Sequence, residues 1–336
     1  MRLHTVDPAT PDPDIIAKAA ARLRIGELVA FPTETVYGLG ANALDAQAVA
    51  RIFAAKGRPS YNPVIVHVPD VAAARRVVTH WPERADMLAA IFWPGPLTMV
   101  LPKASAIPDL VSAGLPLIGV RVPAHPVALA LLRAARVPIA APSANKSNQL
   151  SPTSAQHVMR GLADVDGVVL DGGDCVVGIE STVLDLSTEV PTLLRPGGVS
   201  LSELERALGV SVQAAAAPAS ADAPRRSPGG LDRHYAPRAR VRMFAAGDGI
   251  ALATSIDALR SDGARVAVLT WSDFDLPFAS DVTVRQLSAG AADYASQLFA
   301  TLHELDESGV SAIVVESVPD EPIWDAVRDR LRRAAS

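Results

Sequence analysis

The stretch that most constrains this chain is residues 27–43, ELVAFPTETVYGLGANA. Residues 28–31 form the short apolar run of a buried strand. Pro32 cannot donate to a ladder, so the backbone leaves the sheet there. Thr33, Glu34 and Thr35 are thereby placed at the strand's carboxyl end, the edge where open α/β sheets bind ligands. Gly38 and Gly40 then permit a turn or a close backbone approach before the next helix. PTET alone also fits a plain connecting turn, but other segments repeat the design.

Asp45 caps a helix whose Val49, Ile52 and Phe53 face the core, and the helix ends in Lys56-Gly57-Arg58-Pro59, two cations on one turn. Residues 63–68, PVIVHV, read as a strand carrying His67, with Asn62 at its entrance. Residues 117–123, LIGVRVP, are another strand, interrupted by one charge, Arg121. The short strand at 138–141 breaks into Pro142, Ser143, Ala144 and Asn145. Thr153 with Gln156, and Ser200 with Glu203, have capping-box spacing. Between them, Ser181 and Thr182 lead into a strand, and Arg195 ends the last one before LSELERAL and Gly209.

A chain of 336 residues exceeds one average core and implies two domains. Hydrophobic residues make up 49%, mainly Ala and Val, with only 4% aromatics, so alanine-rich helices on valine-rich strands are expected: an α/β protein. The expected boundaries are a first domain at 1–209, a Pro/Ala/Ser linker at 210–238, and a second domain at 239–336. The last alternates strands and helices in a small parallel, Rossmann-like pattern. A net charge of −5 weighs against a protein built to grip nucleic acid. The single cysteine, Cys175, leaves no disulfide framework within the chain and reads as an ordinary loop thiol. No run is apolar enough to span a membrane, and the first residues lack the basic and apolar regions of a signal peptide, so the cytoplasm is expected.

No P-loop, no dinucleotide fingerprint, no HExxH and no GxSxG occurs. The first domain offers hydroxyls and single cations at strand ends instead. An arginine inside an apolar strand is costly unless it meets an anionic ligand or a buried carboxylate, and an anionic ligand is the expectation for Arg121. Lys56 and Arg58 fit a solvated turn as well as a phosphate site. His67 alone reads sooner as a core histidine than as a ligand. Ser143 and Asn145 alone could simply cap a turn. Together they describe a cleft rich in donors and poor in carboxylates, suited to a polyphosphate-like anion plus a small polar molecule.

Eight segments carry a family resemblance: FPTETVYGLGANA, KGRPSYNPVIVHV, FWPGPLTMVL, GVRVPAHP, APSANKSNQLSPT, GIESTVLDL, LLRPGG and SPGGLDRHYAP. They resemble the YrdC-like threonylcarbamoyl-adenylate synthases in their two-domain form. The resemblance implies a twisted open sheet whose helices form a concave cleft, followed by a smaller Rossmann-like parallel α/β domain. It implies a nucleotidyltransferase that makes threonylcarbamoyl-adenylate and pyrophosphate from L-threonine, bicarbonate or CO2, and ATP, with Mg2+ accompanying the ATP. The adenylate would serve downstream proteins that modify the adenosine beside the tRNA anticodon, so tRNA is an indirect partner.

On this resemblance Thr35, His67, Arg121, Ala141 and Ser181 would hold threonine, Arg121 taking its carboxylate. Arg58, Asn62, Leu117, Ser143, Asn145, Ser151 and Arg195 would hold ATP, with Lys56 near the phosphates and Tyr235 reaching in from the linker. Lys56 and Arg58 are the expected catalytic pair. Leu117 stands where a small or hydroxylic residue is expected, so its contact would be through backbone. Residues 227–237 would fold over the cleft as a lid. Two other classes remain: a double-stranded RNA or tRNA-binding module, disfavoured by acidity and scarce aromatics, and a carbamoyl-phosphate-dependent carbamoyltransferase using the same cleft.

Overall fold

The computed structural model describes residues 1–215, 225–228, 235–273 and 280–335. Two compact units make up the chain, residues 1–147 with 151–230, and residues 148–150 with 231–336. The expected linker at 210–238 is thus divided between them. Residues 229–234 of its distinctive cluster lie outside the described residues.

The first unit is a mixed sheet. Its strands are β1 Arg2–Thr5, β2 Val29–Phe31, β3 Gly38–Asn42, β4 Val66–His67, β5 Leu97–Pro102, β6 Leu117–Arg121, β7 Ile139–Ala140, β8 Val168–Asp171, β9 Thr182–Asp185, β10 Thr192–Arg195 and β11 Gln213–Ala214. They lie in the order β1-β8-β2-β3-β7-β4-β6-β5-β9-β10-β11. Helices Pro13–Arg24 and Pro126–Ala135 bury Leu23 and Leu131 in one cluster with Phe31 and Ile139. Helices Ala46–Lys56, Glu83–Phe92 and Leu201–Leu208 bury Ile52, Leu88 and Leu204 in another. Asp45 caps its helix through the amides of Gln47 and Ala48, and Ser200 with Glu203 forms a reciprocal capping box, both as expected.

Several expectations are corrected. Of the two uses expected of Gly38 and Gly40 the turn is not found: both lie in β3, antiparallel to β2, with Gly38 opposite Phe31 and Gly40 opposite Val29. A Cβ on Gly40 would come within 2.8 Å of the Phe31 and Ile139 side chains, so the other expected use, close approach, is the one that holds there. Arg2–Thr5, which carry no strand pattern in the sequence, form an edge strand, β1, held parallel to β8 by backbone bonds that need no apolar pattern. The strand expected at 63–68 keeps ladder pairing only at Val66–His67, because the Val64 amide turns aside to the Val111 carbonyl. The helix after Pro152 is capped by Ser154, not Thr153, and runs Ala155–Gly161.

The second unit holds β12 Arg240–Phe244, β13 Val266–Thr270, β14 Thr283–Gln286 and β15 Ala312–Glu316, in the order β12-β15-β13-β14 and parallel throughout. This is the small parallel sheet expected. β14 escaped the sequence reading because it is a partly exposed edge strand without an apolar run.

Candidate active site

Pro32 ends β2, and Thr33 organises the turn that follows. Its Oγ1 accepts from the Thr35 and Val36 amides at 3.2 Å each and donates to the Val36 carbonyl at 2.6 Å. Thr35 Oγ1 is left 2.8 Å from Thr33 Oγ1, where it also accepts from Arg121 Nη1 at 2.9 Å. Arg121, at the end of β6, donates Nε to the Gly95 carbonyl at 3.1 Å. Its Nη2 lies 2.7 Å from Glu34 Oε1, and both side chains are buried. The two charges attract at that distance, but the donor is not aimed along a hydrogen-bond axis, and Glu34 Oε2 has no partner. Of the alternatives that could compensate Arg121, a buried carboxylate is what the fold itself provides.

His67 faces Arg121 across the β4–β6 register and meets Phe31 edge-on at 6.2 Å. Burial first, then the neighbouring Arg121 charge, brings its pKa down to about 3. It is therefore a neutral imidazole, and its Nδ1 is buried without a hydrogen bond. Thr98 and Ser181 share a hydrogen bond at 2.8 Å. Ala141 spends its amide on the Ile65 carbonyl at 2.9 Å, so its own carbonyl is the group it can offer a ligand.

A second, cationic group lies along the same sheet. Lys56, the last residue of its helix, is buried and sends Nζ to the carbonyls of Ser143, at 2.6 Å, and Asn145, and to Asn145 Oδ1 at 3.2 Å. Ser143 Oγ in turn donates to Asn145 Oδ1 at 2.5 Å. Burial, then the charges of Arg58 and Lys146, hold the Lys56 ammonium well below the usual lysine range, and Glu180 opposes them weakly. A ligand phosphate would supply the counter-charge this ammonium lacks. Arg58 folds back on the Asn62 and Pro63 carbonyls at 2.9 and 2.6 Å, while Asn62 Oδ1 is buried without a partner.

Residues 180 and 181 join the two groups. Ser151 Oγ donates to Glu180 Oε1, and Arg195 donates Nε and Nη2 to the Ser181 carbonyl at 3.1 and 2.9 Å. Gly197 makes this approach possible, since a Cβ there would stand 2.4 Å from the Glu180 carbonyl oxygen. Arg195 Nη1 also donates to the Pro228 carbonyl at 3.3 Å, and Arg226 pairs with the buried Asp185 at 2.7 Å. Part of the expected lid thus rests on the first unit, beside a residue expected to hold ATP.

The structure thus brings together Thr35, His67 and Arg121; Lys56, Ser143 and Asn145; Arg58 and Asn62; and Ser181 with Arg195, Ser151 being tied to the adjacent Glu180. Leu117 opens β6 opposite Pro102, at the far end of the strand from Arg121. Tyr235 is enclosed in the second unit, 5.7 Å from the Phe299 ring with the Arg330 guanidinium over its face. Sequence reasoning placed Glu34 at the ligand edge without naming a partner for it, and gave no role to Thr98, Glu180 or the Arg226–Asp185 pair. Glu34 was legible only as a carboxylate beside two threonines, because its burial depends on strands far away in sequence. Cys175 is buried and its thiol pKa pushed up, chiefly by burial, in keeping with an ordinary structural thiol.

A wide mixed sheet with hydroxyls and a buried arginine at one group of strand ends, and a cationic group beside it, defines the YrdC-like class of proteins. Residues 21–197 match the model of the Sua5, YciO and YrdC family, described as "Telomere recombination", and residues 199–336 match that of the "Threonylcarbamoyl-AMP synthase, C-terminal domain". The chain belongs to this family, in the form that carries both domains, and is thereby an enzyme, a nucleotidyl-type transferase. It is 43% identical over 322 residues to the threonylcarbamoyl-AMP synthase of Pyrococcus abyssi, covering 94% of this chain and 93% of that one. It is 42% identical over 329 residues to that of Bacillus subtilis, covering 97% and 94%. The structure of P. abyssi Sua5 complexed with L-threonine superposes with a TM-score of 0.92 at 41% identity, covering all of this chain and 98% of that one.

Proposed function

We propose that this chain is an L-threonylcarbamoyladenylate synthase, joining L-threonine, bicarbonate or CO2, and ATP into threonylcarbamoyl-AMP with release of pyrophosphate. The observation that carries the reading is the junction at residues 180–181. There Ser181, hydrogen-bonded to Thr98 and to Arg195, stands between the expected threonine residues, which include Arg121, Thr35 and His67, and the expected phosphate cations Lys56, Arg58 and Arg195. Once its ammonium has released a proton, threonine's amine bonds to the carbon of CO2 and gives up a second proton to become a carbamate. A carbamate oxygen then bonds to the α-phosphorus as the bond to the bridging oxygen of pyrophosphate breaks. Carbamate is already nucleophilic, so at this step the protein contributes alignment and charge neutralisation.

Lys56, Arg58 and Arg195 neutralise charge on the departing pyrophosphate, and Arg121 fixes the amino acid through its carboxylate. Mg2+ enters as part of the MgATP substrate, which suits a phosphate half made of cations. Among the described residues no cluster of three or more His, Cys, Asp or Glu side chains could hold a resident ion. The neutral His67, Thr35 and the Thr98–Ser181 pair supply polar contacts for the hydroxyl and carboxylate of threonine. Residues 225–228, held by Arg195 and Asp185, belong to a lid that keeps water from the carbamate, which loses CO2 readily. The nucleotide role of Tyr235 belongs to this same proposal, and its ring is here enclosed by Phe299 and Arg330. Among the described residues no helix is long and apolar enough to cross a membrane. With ATP and threonine as substrates, we place the reaction in the cytoplasm, where its adenylate passes to the proteins that modify tRNA.

Product analysis with ATP and with carbamoyl phosphate as alternative donors tests the assignment. ATP should give adenylate and pyrophosphate. Product formed from carbamoyl phosphate without ATP would make the chain a carbamoyltransferase instead.

A further inference from the structure

Glu34 is 5% exposed, its Oε1 is 2.7 Å from Arg121 Nη2, and its Oε2 is buried without a hydrogen bond. Arg121 also donates Nε to the Gly95 carbonyl and one Nη1 hydrogen to Thr35, which leaves Nη2 as the group that faces Glu34. A carboxylate ligand that takes the Nη2 edge must therefore share it with Glu34 or displace it. Displacement by a simple anion would strand a buried carboxylate, which is strongly unfavourable. Among the described residues, the two imidazoles near this pair are poor substitute cations. Burial holds His67 and His125 below the usual histidine range, and the Cys175 thiol is kept protonated. A ligand that brings one charge of each sign strands neither partner.

We propose that Glu34 is the receptor for the α-ammonium of the amino-acid substrate. The substrate's carboxylate takes the Arg121 edge that Glu34 now occupies, and its ammonium takes the carboxylate so released. The Glu34–Arg121 pair is thus a closed zwitterion site that an α-amino acid opens by inserting its two charges in series. This deepens the proposed function and rests on it, because it names how the site selects an amino acid over other small hydroxy acids. Glu34 stands in PTET between the two threonines of the turn, and its backbone is fixed where the Val177 amide donates to its carbonyl at 2.7 Å. The side chain is consequently the part free to exchange partners.

The test is calorimetric titration of the full chain and Glu34→Gln with two ligands: L-threonine, and 2,3-dihydroxybutyrate, which has a hydroxyl in place of the ammonium. The wild-type chain should prefer threonine. Glu34→Gln should lose threonine affinity by about tenfold or more while binding the hydroxy acid as well as wild type or better, because Arg121 has lost its internal competitor. Equal threonine affinity in the variant, or equal loss of both ligands, overturns the proposal. If the glutamine variant does not fold, Glu34→Asp carries the same comparison. Its threonine-to-hydroxy-acid ratio should fall, and an unchanged ratio overturns the proposal. A wild-type chain that binds no threonine would overturn the parent reading itself, an outcome distinct from a threonine-binding chain indifferent to Glu34.

Discussion

Lys56 Nζ lies 2.6 Å from the carbonyl oxygen of Ser143, eighty-seven positions further along the chain, and the Ser147 amide returns a hydrogen bond to the Lys56 carbonyl at 2.8 Å. A helix end and a strand-end loop are thereby locked together around a buried ammonium. In the proposed function this Nζ must exchange part of that carbonyl shell for a phosphate oxygen when ATP binds.

Lys56→Met keeps the length of the side chain and removes the charge. It should leave the protein folded and lower adenylate formation by roughly a hundredfold, the scale of losing one preorganised electrostatic contact. Arg58→Ala should act in the same direction. Steady-state kinetics with ATP varied, alongside circular dichroism, checks both.

Arg121→Leu should cost threonine binding roughly 1.5–3 kcal/mol, the worth of a charge-assisted hydrogen bond. It should also destabilise the fold by about 3 kcal/mol, since Glu34 is left as an uncompensated buried charge. Adding Glu34→Gln to it should restore most of the stability and none of the binding. Urea unfolding and calorimetry on the two variants read these separately.

His67 gives a pH dependence of known sign. Its pKa of about 3 in the fold lies below the ordinary value of 6.5, so protons favour the unfolded chain. Its contribution is fully present above about pH 6.5 and is lost as the pH falls toward 3. His125, lowered chiefly by burial, acts in the same direction. His67→Leu should therefore be less acid-sensitive than wild type, by about 2 kcal/mol between pH 6.5 and 5. Urea midpoints at the two pH values provide the comparison.

In the second unit Glu316 is fully buried at the end of β15. It accepts from the amides of Gly247, Trp271 and Ser272 at 3.1, 2.9 and 3.0 Å and from Ser272 Oγ at 2.5 Å. It fills the carboxyl edge where a parallel sheet would otherwise receive a ligand, and ties two loops to the central strand. Glu316→Gln turns one acceptor into a donor facing donors and should destabilise this unit by about 3 kcal/mol. Unfolding followed by the fluorescence of Trp271 and Trp324, which pack 6.2 Å apart, should report it.

What the sequence disclosed is what local chemistry encodes. Asp45, Ser200 with Glu203, and Gly209 marked helix ends because capping involves residues a few positions apart. Arg121 stood out because a charge in LIGVRVP needs a partner somewhere. The identity of that partner was hidden, since Glu34 reaches it only after β2 and β6 take their places in the sheet. For Gly40 the sequence left a turn and a close approach open; the close approach holds, and one of the side chains that impose it, Ile139, is ninety-nine positions away. β1 and β14 were missed because exposed edge strands need no apolar alternation.

The most direct test is mass spectrometry of the full chain incubated with MgATP, L-threonine and carbon-13-labelled bicarbonate. The reading requires threonylcarbamoyl-AMP carrying the heavy carbon, with pyrophosphate in equal amount and no product when any one substrate is withheld. ATP consumed with no labelled adenylate, or adenylate formed without threonine, would contradict it.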